Sequence, residues 1–278
     1  MKIKIKKTNY ISPLRYPGGK ASLAPFFEKV IAKNNLENST YVEPFAGGAG
    51  AALYLLLSGK VKKIVINDLD IAIYSFWKAM LERTDDFISK IQETPVNMEQ
   101  WRKQKKIYTD KKSNFFDLGF ATFFLNRANR SGIIEGGPIG GTKQEGKWKI
   151  DARFNKEDLI RRIKKIALLK DKIRILNLDG LDLIKLLKRQ KNIFIYLDPP
   201  YFKAGESLYL NHYDDKHSEL AIFLNENNKL NWILTYDNVK EIKALYKDRN
   251  KRTFPINYSA RRKRKELELM ITSDSLLI

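Results

Sequence analysis

The stretch NIFIYLDPPY, residues 192–201, joins an apolar run to a polar tetrad. Its apolar, mostly β-branched and aromatic residues predict a buried strand that ends at Asp198, with the tetrad on the loop beyond. Pro199 and Pro200 lack backbone donors, so this loop presents a carboxylate and bare carbonyl oxygens beside the ring of Tyr201. Acceptors beside a flat ring suit a planar group that bears amino hydrogens, such as a nucleobase. A strand closed by an ordinary Pro-Pro turn is the alternative.

A strand, a glycine-rich turn and a helix are predicted by the stretch YVEPFAGGAGAALYLLL, residues 41–57. Such a turn places bare amides and a helix N-terminus at the carboxyl edge of a sheet, where open α/β proteins bind ligands. The turn matches neither G-x-G-x-x-G nor a Walker motif, and Glu43 would repel a diphosphate. These features favour a cationic or amino-bearing ligand over a phosphate.

An acidic residue, Asp68, directly follows the next predicted strand at residues 61–67. An acid in this position commonly accepts hydrogen bonds from ribose hydroxyls. Together with the glycine turn, it therefore predicts a cofactor that contains a nucleoside. Gly18, Gly19 and Lys20 lie upstream, where the glycines allow close backbone approach to a ligand and the lysine adds a cation. An ordinary loop before a helix is the alternative for that segment.

The composition limits both the chemistry and the partners of the chain. Its 278 residues suffice for one large α/β domain with an insertion, and the absence of cysteine excludes disulfides and thiolate nucleophiles. The two histidines, His212 and His217, lack metal-ligand spacing, so we expect no metal. A net charge of +20, with nine basic residues and one acid between Lys247 and Lys265, predicts a polyanionic partner. Simple solvation of a lysine-rich surface is the alternative.

The alternation of strands and helices is interrupted by residues 85–165, which are polar, basic and aromatic. Helices are predicted here at 98–109 and 115–128, followed by a glycine-rich loop of the kind that is commonly functional in a compact enzyme. Two final strands without an intervening helix predict a hairpin at the sheet edge. We therefore expect an α/β domain formed by residues 1–84 and 166–278, with 85–165 as an inserted, mostly helical domain.

Five residues have the chemistry to contact nucleic acid. Arg127, Asn129 and Arg130 lie at or just beyond the end of the second predicted helix, and their groups are able to reach base edges or phosphates. Charges at a helix end beside a surface loop are the alternative for these three. Arg261 and Arg262 lie in the basic segment before the last strand and are candidate phosphate contacts.

Three motifs carry a family resemblance: Pro17-Gly18-Gly19-Lys20, Glu43-Pro44-Phe45-Ala46-Gly47-Gly48, and Asp198-Pro199-Pro200-Tyr201. In this order they resemble the amino-group DNA methyltransferases of the alpha class, the DNA adenine methylase family. The glycine turn precedes the tetrad, and a separate target-recognition domain fits only between Asp70 and Asp179. That arrangement is the one that defines the alpha class.

The resemblance implies a Rossmann-like S-adenosylmethionine-dependent methyltransferase fold, an α/β fold with a mostly parallel seven-stranded sheet and target recognition by the insertion. It also implies which residues hold the cofactor: Tyr16, Pro17, Gly18 and Lys20 at its methionine end, Glu43, Phe45, Ala46 and Gly47 along its length, Asp68 at the ribose, Asp179 at the adenine amino group, and Asp198 of the tetrad. Asp182 is the fallback for Asp179. One position departs from many relatives, because Ala49 stands where they have a third glycine.

The implied reaction transfers a methyl group from S-adenosylmethionine to the N6 amino group of adenine and leaves S-adenosylhomocysteine. Asp198 and the carbonyl of Pro199 would each accept an amino hydrogen, which localises the nitrogen lone pair for in-line attack. The base must be flipped out of the duplex, and Tyr201 would stack on it. Pro200 completes the catalytic tetrad. No metal or covalent intermediate is needed, and cytosine carbon methylation is excluded because it requires a cysteine.

Double-stranded DNA is the expected substrate of a monomeric enzyme, and the resemblance leaves open a cognate restriction endonuclease as a partner. The alternatives are amino-methylation of cytosine, methylation of an RNA base or a protein side-chain amide, and a non-catalytic DNA-binding relative. The sequence shows neither an apolar run that could span a membrane nor a signal peptide, so we expect a cytoplasmic, nucleoid-associated protein.

Overall fold

A computed structural model describes residues 11–16, 19–202, 213–258 and 264–278 of the chain. Within these residues the strands are β1 (Thr40–Glu43), β2 (Lys63–Asn67), β3 (Ile173–Leu176), β4 (Ile193–Leu197), β5 (Trp232–Asp237), β6 (Asn250–Tyr258) and β7 (Arg264–Thr272). They form one seven-stranded sheet in the order β3-β2-β1-β4-β5-β7-β6. Adjacent strands are parallel from β3 to β5, whereas β7 is antiparallel to both β5 and β6. The predicted mostly parallel sheet and the hairpin at its edge are therefore confirmed.

The helices are α1 (Ala24–Lys33), α2 (Gly50–Leu57), α3 (Ile71–Glu82), α4 (Thr84–Glu93), α5 (Met98–Thr109), α6 (Phe115–Ala128), α7 (Lys156–Ala167), α8 (Gly180–Leu187), α9 (Tyr213–Glu226) and α10 (Lys240–Leu245). Short 3-10 turns occur at Lys20–Leu23, Arg130–Gly132 and Lys170–Lys172. In the part of the chain that the structure describes, no helix combines the length and the apolar character needed to cross a membrane.

The central strands are buried on both faces, which explains why their sequences are continuously apolar rather than alternating. All five residues of β4 are buried. Phe194 and Tyr196 point into the apolar core on one side of the sheet, whereas Ile193, Ile195 and Leu197 point into the core on the other. The predicted buried strand before the tetrad is thereby confirmed.

The strand order reverses between β1 and β4, and this reversal positions the site. From β1 the chain runs outward to β2 and β3, while β4 and β5 lie on the other side of β1. Helices that leave neighbouring strands in opposite directions open a crevice at their carboxyl ends. Glu43 ends β1 and Asp198 follows β4, so both carboxylates lie at this crevice.

The helices α5 and α6 have the predicted bounds, but α4 was not predicted. Its sequence TDDFISKIQE is largely polar, and only Phe87, Ile88 and Ile91 are buried. Phe76 of α3 stacks on Phe123 of α6 with ring centroids 6.0 Å apart. The apolar core is thus continuous between the sheet-flanking helix and the inserted helices, and the proposed recognition function of 85–165 stays a prediction.

A buried carboxamide ties three chain segments together at the carboxyl edge. The Nδ2 group of Asn67 donates to the carbonyl oxygens of Pro44 at 2.8 Å and Leu178 at 2.9 Å, and its Oδ1 accepts from the Leu178 amide at 2.9 Å. Asn67 is 1% exposed. Its single side chain therefore satisfies backbone groups that follow β1 and β3, beside the end of its own strand.

We predict that Asn67→Leu lowers the free energy of unfolding by about 3 kcal/mol, because it leaves buried backbone groups without partners. Denaturant titration measures this loss. Asn250→Leu, on the exposed edge strand, is the matched control and should change stability by less than about 0.5 kcal/mol. A loss below about 1 kcal/mol in the Asn67 variant would contradict the proposed tie.

Candidate active site

The predicted tetrad contacts two buried charged side chains, Lys20 and Glu268. The Nζ atom of Lys20 lies 3.0 Å from Asp198 Oδ2 and donates to the Tyr201 hydroxyl at 2.7 Å. The Tyr201 hydroxyl donates in turn to Glu268 Oε1. Thr235 Oγ1 donates to Asp198 Oδ1 at 2.8 Å. Each polar end of the tetrad is therefore held by a side chain from another part of the fold.

The resemblance implied that Lys20 lines the methionine end of the cofactor, whereas the structure brings its ammonium to the tetrad. Lys20 is 6% exposed and starts the 3-10 turn before α1. Pro17 and Gly18, the two preceding predicted cofactor residues, lie outside the described residues. Through the ammonium group of Lys20, the N-terminal motif therefore contacts both Asp198 and Tyr201.

The glycine turn is held from both sides of the crevice. Gly47 has φ +46°, donates its amide to Asp68 Oδ2 at 2.8 Å, and accepts from the Trp77 ring nitrogen at 2.9 Å. A Cβ added to Gly47 would lie 2.6–2.9 Å from ring atoms of Tyr16, so a side chain here would displace the Tyr16 ring. Ala49 has φ +47° and ψ +34°, the left-handed conformation expected of the glycine it replaces. This departure therefore preserves the turn at a strain of about 1 kcal/mol.

Asp68 and Asp179 lie at the predicted cofactor positions after β2 and β3. Asp68 Oδ1 also accepts from the amide of Asp70 at 3.0 Å, and burial raises the pKa of Asp68 to about 6. Asp179 caps α8 and pairs with Lys216 at 3.1 Å; although burial opposes it, this pair and the cap lower the pKa of Asp179. Beside Asp179, the ring of Phe45 lies against Gly180, so that a Cβ at this position would overlap the ring.

Glu43 is a buried carboxyl group whose protonation changes near neutral pH. It is 4% exposed, and its Oε1 accepts from the Tyr41 hydroxyl at 3.1 Å and the Ala52 amide at 2.9 Å. Burial raises the pKa of Glu43 to about 8, and repulsion by Asp198 adds to the rise, while the two hydrogen bonds oppose it. A cation bound in the crevice would favour the ionised form of Glu43.

A family model covers the chain from the first to the last of these motifs. The D12 class N6 adenine-specific DNA methyltransferase family matches residues 16–263. The chain belongs to this family. It is therefore an adenine-specific DNA methyltransferase, and its family uses S-adenosylmethionine as the methyl donor. The resemblance read from the three motifs is confirmed.

Two curated relatives carry the description Type II methyltransferase. The methyltransferase is 24% identical over 230 residues to M.MjaIII of Methanocaldococcus jannaschii, covering 76% of this chain and 78% of that protein. It is 24% identical over 189 residues to M.CviBI of Paramecium bursaria Chlorella virus NC1A, covering 68% of each. Among solved structures, the rRNA methyltransferase aviRa from Streptomyces viridochromogenes matches with a TM-score of 0.41 at 12% identity, over 99% of this chain and 91% of that chain.

Two of the predicted DNA contacts of the methyltransferase have structural roles instead. The Arg127 guanidinium is buried and donates to the carbonyl oxygen of Arg153 at 2.8 Å. Asn129 is fully buried, and its Oδ1 accepts from the ring nitrogen of Trp101 at 2.7 Å. In this structure neither side chain can reach a base edge, so burial argues against both assignments. Arg130 is exposed and stays a candidate, whereas Arg261 and Arg262 lie outside the described residues.

Asn126, which the sequence did not single out, connects the insertion to the N-terminal motif. Its Oδ1 accepts from the Arg15 amide at 2.7 Å, and its Nδ2 donates to the carbonyl oxygens of Arg15 at 2.9 Å and Gly132 at 2.8 Å. Arg15 precedes Tyr16, whose ring covers the glycine turn. The loop after α6 is therefore joined to the glycine-turn side of the crevice.

Thr235 and Glu268 were also missed as site residues. Glu268 interrupts the apolar run LELMI of β7, and such an interruption is a sequence signal that could have identified it. Thr235 lies within a buried strand and offers no comparable signal, because threonine is common in strands. Among the described residues, no group of three or more His, Cys, Asp or Glu side chains could hold a metal ion.

We predict that Glu43→Gln changes how the free energy of unfolding of the methyltransferase depends on pH. With a pKa of about 8 in the folded protein against 4.5 as the ordinary value, Glu43 keeps a proton that the unfolded chain loses. This contribution is fully present below pH 4.5 and is lost as the pH rises through 8. Between pH 5 and pH 8, the stability of the variant relative to wild type should therefore increase by about 3.5 kcal/mol.

Denaturant titrations across this pH range measure the difference in unfolding free energy. Glu241→Gln, an exposed glutamate at the start of α10, is the control and should show a constant difference. If the Glu43 difference is equally constant, Glu43 has the same protonation in the folded and unfolded states, and the raised pKa is wrong.

Proposed function

We propose that the methyltransferase transfers a methyl group from S-adenosylmethionine to the exocyclic N6 amino group of an adenine at a short specific site in duplex DNA. The observation that carries this proposal is the Asp198–Tyr201 tetrad, held by Lys20 and Thr235 at the strand reversal beside the glycine turn. A carboxylate acceptor and an aromatic ring therefore lie in the same crevice as the proposed cofactor-binding residues.

Asp198 is suited to accept a hydrogen from the adenine amino group. Each of its oxygens accepts one described hydrogen bond, from Lys20 and from Thr235, and a carboxylate oxygen has two lone pairs. The side chain is 21% exposed, so a base can approach it. With the second amino hydrogen on the Pro199 carbonyl, the nitrogen lone pair is drawn out of conjugation and directed at the methyl group.

Tyr201 would supply the stacking surface for a target base that has left the duplex. Enzymes that modify a base cannot reach it inside the helix and therefore extrude it into a pocket. The ring of Tyr201 is half-buried, and its hydroxyl is held by Lys20 and Glu268. The ring faces, rather than the hydroxyl, would then contact the base.

The residues at the crevice fit S-adenosylmethionine. When bound, this cofactor supplies a methyl group on a positively charged sulfur, and the carboxyl group of Glu43 suits that charge. Asp68 would bind the ribose hydroxyls, while Asp179 and the ring of Phe45 would bind the adenine. Tyr16, whose ring packs against Gly47, would line the methionine end of the same cofactor.

Duplex DNA is the proposed partner, supported by the net charge of +20. Arg130, Arg261 and Arg262 are the candidate contacts, with residues 85–165 as the recognition domain. Since two relatives are Type II methyltransferases, a cognate restriction endonuclease with the same recognition site is the proposed biological partner. We propose that the enzyme acts as a monomer.

Asp198→Ala tests the reaction. Unmethylated duplex DNA is incubated with radiolabelled S-adenosylmethionine, digested to nucleosides and separated. Wild type should place the label in N6-methyladenine, and the variant should be slower by about 100-fold or more because an acceptor of the transition state is lost. Asp171→Ala, an exposed acid in the 3-10 turn Lys170–Lys172, is the matched control and should retain the wild-type rate.

The identity of the labelled product decides between the alternatives. Label in a cytosine nucleoside would contradict adenine as the target base, but it would be consistent with the proposed chemistry of the tetrad. Absence of label in DNA, together with label in RNA or protein under the same conditions, would contradict the proposed substrate.

Asp68→Ala tests the cofactor site separately from catalysis. We expect it to weaken S-adenosylmethionine binding by about 10-fold or more, because it removes the ribose acceptor and the partner of the Gly47 amide. Equilibrium dialysis without DNA measures the affinity. An unchanged affinity would place the ribose elsewhere, and Asp171→Ala again serves as the control.

A further inference from the structure

A buried carboxylate on the antiparallel part of the sheet reaches the tetrad. Glu268 belongs to β7, where it lies opposite Asp237 of β5 in the antiparallel strand register, and it is 1% exposed. Burial of a carboxylate is unfavourable unless an opposite charge and hydrogen bonds compensate for the lost water. The partners of Glu268 therefore indicate why an acid is present in this strand.

Those partners are the functional groups of the proposed site. The Tyr201 hydroxyl donates to Glu268 Oε1, and Lys20 Nζ lies 3.5 Å from the same oxygen. Lys20 Nζ also lies 3.0 Å from Asp198 Oδ2 and donates to the Tyr201 hydroxyl. One ammonium group thus lies between two carboxylates, and the phenol connects the ammonium to Glu268.

We propose that Glu268 is a positioning residue for methyl transfer, which acts by holding the hydroxyl end of Tyr201 and the ammonium of Lys20. The inference rests on the proposed function, in which the Tyr201 ring stacks on the target base. The single hydrogen of the phenol goes to Glu268, while an oxygen lone pair takes the hydrogen from Lys20. The ring is therefore anchored at its hydroxyl as well as at the backbone after Pro200.

Anchoring of the Tyr201 ring should affect the rate of methyl transfer rather than the affinity for the cofactor. A stacking surface that is already ordered loses less side-chain entropy when the base arrives. A small displacement of a positioned group can also slow a reaction strongly, because the reacting atoms must be aligned. Since the named contacts of Glu268 lead to the tetrad, its replacement should slow methyl transfer and leave the affinity for S-adenosylmethionine unchanged.

Glu268→Gln in the full chain tests this role, because glutamine keeps the size and an acceptor oxygen but removes the charge. We expect single-turnover methylation of long unmethylated duplex DNA to fall about 10-fold, with the dissociation constant for S-adenosylmethionine within about twofold of wild type. Thr272→Val is the matched control: it lies on the same face of β7, and its buried hydroxyl has no hydrogen-bond partner among the described residues. It should keep the wild-type rate.

A double-mutant cycle with Tyr201→Phe separates positioning from a general structural effect. If Glu268 acts through the phenol, Glu268→Gln should slow the Tyr201→Phe enzyme about threefold or less. An equal loss in both backgrounds, or an unchanged rate in the wild-type background, overturns the positioning role.

Two further results complete the test. Should Glu268→Gln not fold, Glu268→Asp replaces it, since the shorter side chain keeps the charge but withdraws from the phenol; the same loss of rate is expected, and an unchanged rate overturns the proposal. If wild type methylates DNA and the Glu268 variants match it, only this inference fails. If wild type binds S-adenosylmethionine but methylates no DNA, the proposed function fails, and the positioning role fails with it.

Discussion

The ammonium group of Lys20 joins three parts of the chain that are remote in sequence. It pairs with Asp198 after β4 and with Glu268 in β7, while Lys20 itself lies in the turn before α1. Loss of one partner from a buried charge cluster typically costs about 3–5 kcal/mol, because the remaining charges stay buried without compensation. The geometry of the tetrad therefore depends on the correct docking of the N-terminal segment and of the antiparallel hairpin.

The opposite side of the crevice is held together by hydrogen bonds between side chains and the backbone more than by ion pairs. Asn67 joins the segments after β1 and β3, and Asp68 receives the amide of Gly47. These contacts bring the proposed cofactor acids to the same edge as Asp198. Burial raises the pKa of Glu43 to about 8 and that of Asp68 to about 6. A cationic ligand would compensate for the buried acids there.

The sequence motifs predicted which residues meet at the crevice where chemistry restricts the residue type, and they failed where packing decides which groups a side chain contacts. The tetrad, the glycine turn and Asp68 were located because each follows a strand with a recognisable pattern. Arg127 and Asn129 were assigned to DNA from their functional groups alone, yet both are buried and bind carbonyl oxygens or a tryptophan ring. The type of a residue shows which groups its side chain is able to bind, whereas burial decides which of those groups it can contact in the folded protein.

By itself, the sequence determined the family, the mostly parallel sheet with its terminal hairpin, and the three motifs, because hydrophobic period and turn chemistry are local properties. Only the tertiary structure decided that Lys20 contacts the tetrad, that Ala49 takes a left-handed conformation, and that Glu268 reaches Tyr201. These relations join residues that are distant along the chain, or set a backbone angle against its local preference. No short-range pattern encodes them, since they arise only when the sheet and its helices pack together.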